Sequence, residues 1–179
     1  NPVVAKEGAG YKVIITSAGD DSGITFTING AIVGQLTEQG QVPNTNNPEV
    51  LAGPDGTPAT VTSAYFYSRI DSIVISGAAA GAGVSVGTTG DLALPRCRIK
   101  GFYVLGDAGA GSLKINRFSY TTSAYPTVAV ESLLDITTPA GATLTQFLSL
   151  PGQGILTGQQ HNDFAVVTLD GADYSLFCG

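Results

Sequence analysis

Tryptophan and methionine are absent from this chain, histidine occurs once and cysteine twice. One histidine (His161), two distant cysteines (Cys97, Cys178) and scattered carboxylates do not supply the ligand spacing of a zinc site. Cys97 falls in an apparent strand and Cys178 one residue from the end, so two reduced, partly buried thiols are expected, with a single long-loop disulfide as the alternative. With no methionine, Asn1 is not expected to be an untouched translation start. Nothing at the N-terminus has the basic-then-apolar order of a signal peptide, and no apolar run approaches the roughly 20 residues that span a bilayer.

Charge is scarce as well. Charged residues make up 12% of the chain, about half of the ~25% usual for soluble domains. So few charges solvate a fully exposed surface poorly, and part of the surface is expected to be covered by other copies or partners. The balance is acidic, 8 Lys and Arg against 14 Asp and Glu for a net −6, and a phosphate backbone is not an expected partner.

The signatures of chemistry are missing too. There is no G-x-S-x-G elbow and no Gly-Lys-Ser/Thr phosphate loop. The Gly152-Gln-Gly154 and Gly109-Ala-Gly111 pairs lack the third glycine and the strand–helix context of a dinucleotide site. His161 sits in a polar loop beside Asp163, where a solvated histidine is the ordinary expectation. Gly19-Asp20-Asp21-Ser22-Gly23 offers oxygen donors without the alternating acids and distal Glu of a calcium loop. Turn-forming Asp is expected there, with weak Ca²⁺ binding as the lesser alternative. Paired carboxylates for glycoside hydrolysis have no aromatic Trp platform beside them. The expectation is a protein that is not an enzyme, with no catalytic residue, cofactor or metal.

What is present is β-hairpin grammar. Glycine is abundant, 24 residues, and turns at that density suit strands rather than helices. Tyr11 to Thr16 is rich in β-branched residues, and Ile24 to Ile28 alternates apolar and polar as a half-buried strand does. Asn29-Gly30 then predicts a hairpin turn, with Ala31 to Leu36 returning. Residues 37–59 carry Pro43, Pro48, Pro54 and Pro58, which predicts a long surface loop or an arm that orders on a neighbouring subunit, without regular pairing. From Thr60 strands resume: Thr60–Tyr67, Ile70–Ile75, Val84–Val86, one long strand within Leu92–Leu105, Ser112–Ile115, Thr143–Leu150, Phe164–Leu169 and Tyr174–Phe177. Ala129 to Ile136 reads equally as a short helix or a strand. A weak repeat joins the segments beginning at Arg69, Arg98 and Phe164, each read as strand, Gly/Ala turn and return strand.

The predicted fold is all-β: an antiparallel sandwich or jelly-roll-like arrangement, as one domain or two small packed lobes. Its parts are an N-terminal meander over 1–36, a Pro/Asn-rich loop or arm over 37–59, and a main sandwich of hairpins over 60–179. The one pointed charge feature is Arg96-Cys97-Arg98-Ile99-Lys100. Strand alternation puts Arg96, Arg98 and Lys100 on one face, opposite Cys97 and Ile99. This stripe is expected to dock on an acidic partner surface rather than simply meet solvent.

The stretch Thr60-Val-Thr-Ser-Ala-Tyr-Phe-Tyr-Ser-Arg-Ile-Asp-Ser-Ile-Val-Ile-Ser-Gly, through Val84-Ser-Val-Gly87, resembles small virion proteins of tailed bacteriophages. Arg98-Ile-Lys-Gly-Phe-Tyr-Val is a second match. Leu150-Pro-Gly-Gln-Gly-Ile-Leu, leading to Val167-Thr-Leu-Asp-Gly-Ala and the final Cys178-Gly179, is a third. The resemblance covers most of residues 60–179 and implies a multi-copy structural component of a particle, assembled in the bacterial cytoplasm. A capsid decoration (cement) protein, bound to itself and to the major capsid protein, is the first expectation. A tail, collar or fibre-adaptor protein is the second, and a carbohydrate-binding module is the third.

Overall fold

A computed structural model describes residues 9–33, 48–80, 83–105, 111–119, 129–138, 145–150, 152–157, 163–170 and 173–178. These residues form twelve strands and no helix: β1 (Gly10–Ser17), β2 (Thr25–Ile32), β3 (Glu49–Ala52), β4 (Ala59–Ile75), β5 (Val84–Pro95), β6 (Arg98–Leu105), β7 (Gly111–Ser119), β8 (Glu131–Thr138), β9 (Thr145–Ser149), β10 (Ile155–Leu156), β11 (Asp163–Asp170) and β12 (Asp173–Cys178). The strand pairings whose registers follow are antiparallel. The chain falls into two compact units, residues 10–89 and 90–179, with Ala9 joining the second. Their boundary lies inside β5.

In the first unit the ladder runs β3–β2–β4–β1. The alternation read in Ile24–Ile28 places Phe26 and Ile28 in the core with Val13, Ile15 and Phe66, while Thr25 and Thr27 face outward. The 17-residue β4 does the work assigned to two separate strands: Ala59–Tyr67 pairs with β1 and Tyr67–Ile75 with β2. Glu49 shows that β4 is bent between those halves. Glu49 and Ile73 both register with Ile28, and Ala64 precedes Ile73 by nine residues, about 30 Å in a straight strand. Yet the buried Glu49 carboxylate accepts from the Ala64 amide at 2.6 Å and the Tyr67 hydroxyl at 2.9 Å. β4 therefore turns back over β2 and β3, with register shifts opposite Asn29/Gly30 and Ala31/Ile32 making the bend. A second irregularity, between Lys12 and Ile14 of β1, is stitched by Ser63, whose hydroxyl accepts from the Val13 amide at 2.8 Å and donates to the Tyr65 carbonyl at 2.8 Å.

Two expectations fail in this unit. Asn29-Gly30 is not a turn; both residues lie within β2, opposite Ser72 and Ile70. Asn29 Nδ2 donates to Ser72 Oγ at 3.1 Å, and Gly30 meets the Arg69 carbonyl so closely that no side chain fits. The glycine serves a bulge rather than a hairpin tip. The proline-rich span also pairs after all: β3 adds a four-residue edge strand to β2, with Pro48 and Pro54 just outside it. Prolines are tolerated at strand ends, where their missing N–H breaks no ladder bond. Residues 34–36 and the span 37–47 lie outside the described residues.

The second unit contains two ladders. In one, β11 lies between β5 and β7, and β8 adds beyond β7. Phe164 to Val167 are buried without alternation, as expected of a strand covered on both faces. Phe164 stacks on its register partner Phe118 at 5.5 Å. In the other ladder β6 is central, with β12 on one edge and β9 followed by β10 on the other. Burial of Ile99 and Phe102 on β6, and of Leu113 and Ile115 on β7, adds about 1.5–3 kcal/mol for each side chain.

The segment over Leu92–Leu105 is two strands rather than one, broken at Arg96 and Cys97. Thr157 repairs the break: its Oγ1 accepts from the Cys97 amide at 2.7 Å and lies 3.0 Å from the Pro95 and Cys97 carbonyls. Its own amide donates to the Cys97 carbonyl at 2.9 Å. The ambiguous segment at Ala129–Ile136 resolves as strand β8. The three repeat copies are not hairpins. β4, β6 and β11 each have other strands on both edges, so the strand that follows each of them in sequence pairs elsewhere.

Candidate interaction surfaces

The basic stripe stands on the β5–β6 junction. Arg96 is exposed in the bend, Arg98 half-buried and Lys100 exposed, while Cys97 and Ile99 are buried on the opposite side. Alternation thus continues through the break, because Thr157 restores the hydrogen bonds that a continuous strand would have made. Arg98 Nη1 and Lys100 Nζ both point to the Gln153 carbonyl, at 3.4 and 3.2 Å. That carbonyl is offered by the connection between β9 and β10, where Gly152 and Gly154 have φ of 67° and 76°. These left-handed values suit glycine, and Gly154 also packs against the Ile99 carbonyl with no room for a side chain.

Two cations therefore share one neutral acceptor. The ion pairs seen among the described residues are Arg69–Asp71, Lys114–Asp135, Arg117–Glu131 and Arg117–Asp163. None includes Arg96, Arg98 or Lys100. In a chain of net charge −6, these three basic groups thus stand together outside the ion pairs of the described residues.

A second surface, not anticipated from the sequence, is the outer face of β3–β2–β4. Val50, Thr27 and Val74 form one cross-strand row, and the two valines are 60% and 54% exposed. Neighbouring rows contribute Ala52 with Thr25 and Asn29 with Ser72, so the face presents methyls, hydroxyls and an amide but no charge. The nearest ionic group along β4 is the exposed Arg69–Asp71 pair, in which the carboxylate raises the guanidinium's pKa. Ile73-Val-Ile is an apolar run without alternation, so only the pairing of β3 and β4 with β2 showed that Val50 and Val74 share this face.

Arg117 on β7 bridges Glu131 of β8 at 2.9 Å and the fully buried Asp163 of β11 at 3.1 Å. Cys97 is a buried thiol, 3.7 Å from Thr157 Oγ1. The Cys178 side chain and His161 lie outside the described residues. Among the described residues no group of three or more His, Cys, Asp or Glu is arranged to hold a metal ion, and no helix is long and apolar enough to cross a membrane. No protein-family model, curated protein or solved structure matches the chain.

Proposed function

We propose that this protein is a non-enzymatic structural subunit of a bacteriophage particle, a capsid decoration protein that binds acidic surface of the shell through Arg96, Arg98 and Lys100. The observation carrying this reading is the convergence of Arg98 and Lys100 on one carbonyl, neither of them in an ion pair among the described residues. Scarcity of charge elsewhere and the uncharged face around Val50 and Val74 support contact with further subunits. On this reading the bent β4 closes a small sandwich, and repetition over many copies turns weak contacts into firm attachment. The partners are the major capsid protein and other copies of this chain, and the site of action is the virion.

Binding of purified chain to undecorated particles, measured by cosedimentation, tests the proposal. Charge reversal in Arg98→Glu/Lys100→Glu is expected to weaken binding at least tenfold, and added salt to weaken wild-type binding. Wild-type binding that is indifferent to both would refute docking through the stripe. A handful of copies per particle on quantitative gels, instead of a count scaling with the shell, would place the protein in the tail or collar.

A further inference from the structure

Asp21 is the least explained polar group in the first unit. It is 2% exposed. Its Oδ1 accepts from the Ala80 amide at 2.6 Å, whereas Oδ2 is sealed from solvent with no hydrogen-bond partner. An ionised carboxylate in such a position is costly unless a counter-charge or further donors complete its shell.

Main-chain groups of two other loops meet Asp21. Asp21 donates its amide to the Pro54 carbonyl at 2.9 Å, so the carboxylate stands between the loop containing it, the loop after β3 and the loop after β4. The Ala80 carbonyl lies against Gly19 in the same cluster. Asp20 and Asp55 are exposed at the rim. Hydrogen bonds from the Ser22 amide and hydroxyl, and from the Gly56 amide, hold the Asp20 carboxyl below its ordinary pKa. No positively charged side chain forms an ion pair with Asp21 among the described residues.

We infer that the three loops around Asp21 form a binding site for a hard cation, Ca²⁺, with Asp21 Oδ2 as the one carboxylate ligand and main-chain carbonyls and water filling the remaining positions. Oxygen-only donors and flexible coordination suit Ca²⁺ better than the strict octahedron of Mg²⁺. A single carboxylate places the affinity at the weak end, about 10⁻⁴–10⁻³ M, as in extracellular modules. The ion would tie together three loops that otherwise meet through a few hydrogen bonds. This inference is independent of any role in a virion.

The test uses the full chain after exhaustive chelation. Equilibrium dialysis is expected to find one Ca²⁺ per chain. The melting temperature is expected to rise saturably with Ca²⁺, less so with Mg²⁺, and not with K⁺ at matched ionic strength. Ca²⁺ should also slow hydrogen exchange at the Ala80 and Asp21 amides. In Asp21→Asn the Ca²⁺ response should vanish while the metal-free melting temperature holds or rises, since the buried charge is gone. If Asp21→Asn fails to fold, stoichiometry and local exchange in the wild type decide the matter alone. A wild type that binds no Ca²⁺, or whose Ala80 amide ignores it, overturns the inference in favour of a buried water at Oδ2.

Discussion

At the scale of single residues, several irregularities of the backbone are closed by side chains that stand in for missing strand partners. Thr157 serves Cys97, Ser63 serves Val13, and Glu49 serves Ala64 and Tyr67. Removing such a group leaves a buried donor unsatisfied. Thr157→Val keeps the volume and deletes the acceptor, so it is expected to lower stability by about 1–3 kcal/mol, read as a reduced denaturant midpoint at constant slope, with Thr157→Ser restoring most of it. Arg117→Ala should cost more, about 3–5 kcal/mol, because it strips the cation from the buried Asp163 carboxylate. A double-mutant cycle with Asp163→Asn should show coupling between the two, because the side chains are in direct contact. These residues were visible in the sequence only as ordinary Thr, Ser, Glu and Arg, since their roles depend on partners far along the chain.

At the scale of elements, the bend in β4 organises the first unit. It depends on the bulge where Gly30 passes the Arg69 carbonyl. Gly30→Ala is therefore expected to lower stability by roughly 1–3 kcal/mol, comparable to overpacking, whereas Gly87→Ala, where a methyl meets open space, should change little. Thermal melts of the two variants side by side check the difference. The loop between β1 and β2 has a pH signature. Because Asp20 has a lowered pKa in the folded chain, its contribution is present above the ordinary aspartate range and fades as pH falls through the lowered value. Asp20→Asn should flatten that acid limb of a melting curve taken against pH, lowering the melting temperature slightly near neutrality and hardly at all in acid.

At the scale of the whole molecule, the relevant property is what the surface lacks. The outer face of β3–β2–β4 has no charge to discourage contact, although β3 itself is a short edge strand that turns Glu49 inward, two features that guard its free edge. Val50→Lys and Val74→Lys should shift sedimentation toward monomer at a given concentration without lowering the melting temperature, because both side chains already face solvent. Sedimentation unaffected by either change would remove this face from the assembly reading. Under the proposed function the basic stripe acts separately, and its reversal should alter binding to particles rather than self-association.

Sequence alone determined the all-β class, most strand positions, the inward alternation of Phe26, Ile28, Cys97 and Ile99, and the outward set of Arg96, Arg98 and Lys100. All of these follow from period-two patterning and glycine density, which are local. Tertiary structure alone decided which strands pair, that Asn29-Gly30 is a bulge, that β3 exists at a proline-flanked edge, and that Asp21 is buried. A strand's edges are satisfied by whichever partner the fold brings to them. Here β4, β6 and β11 take partners other than the strand that follows each in sequence, which no local pattern encodes.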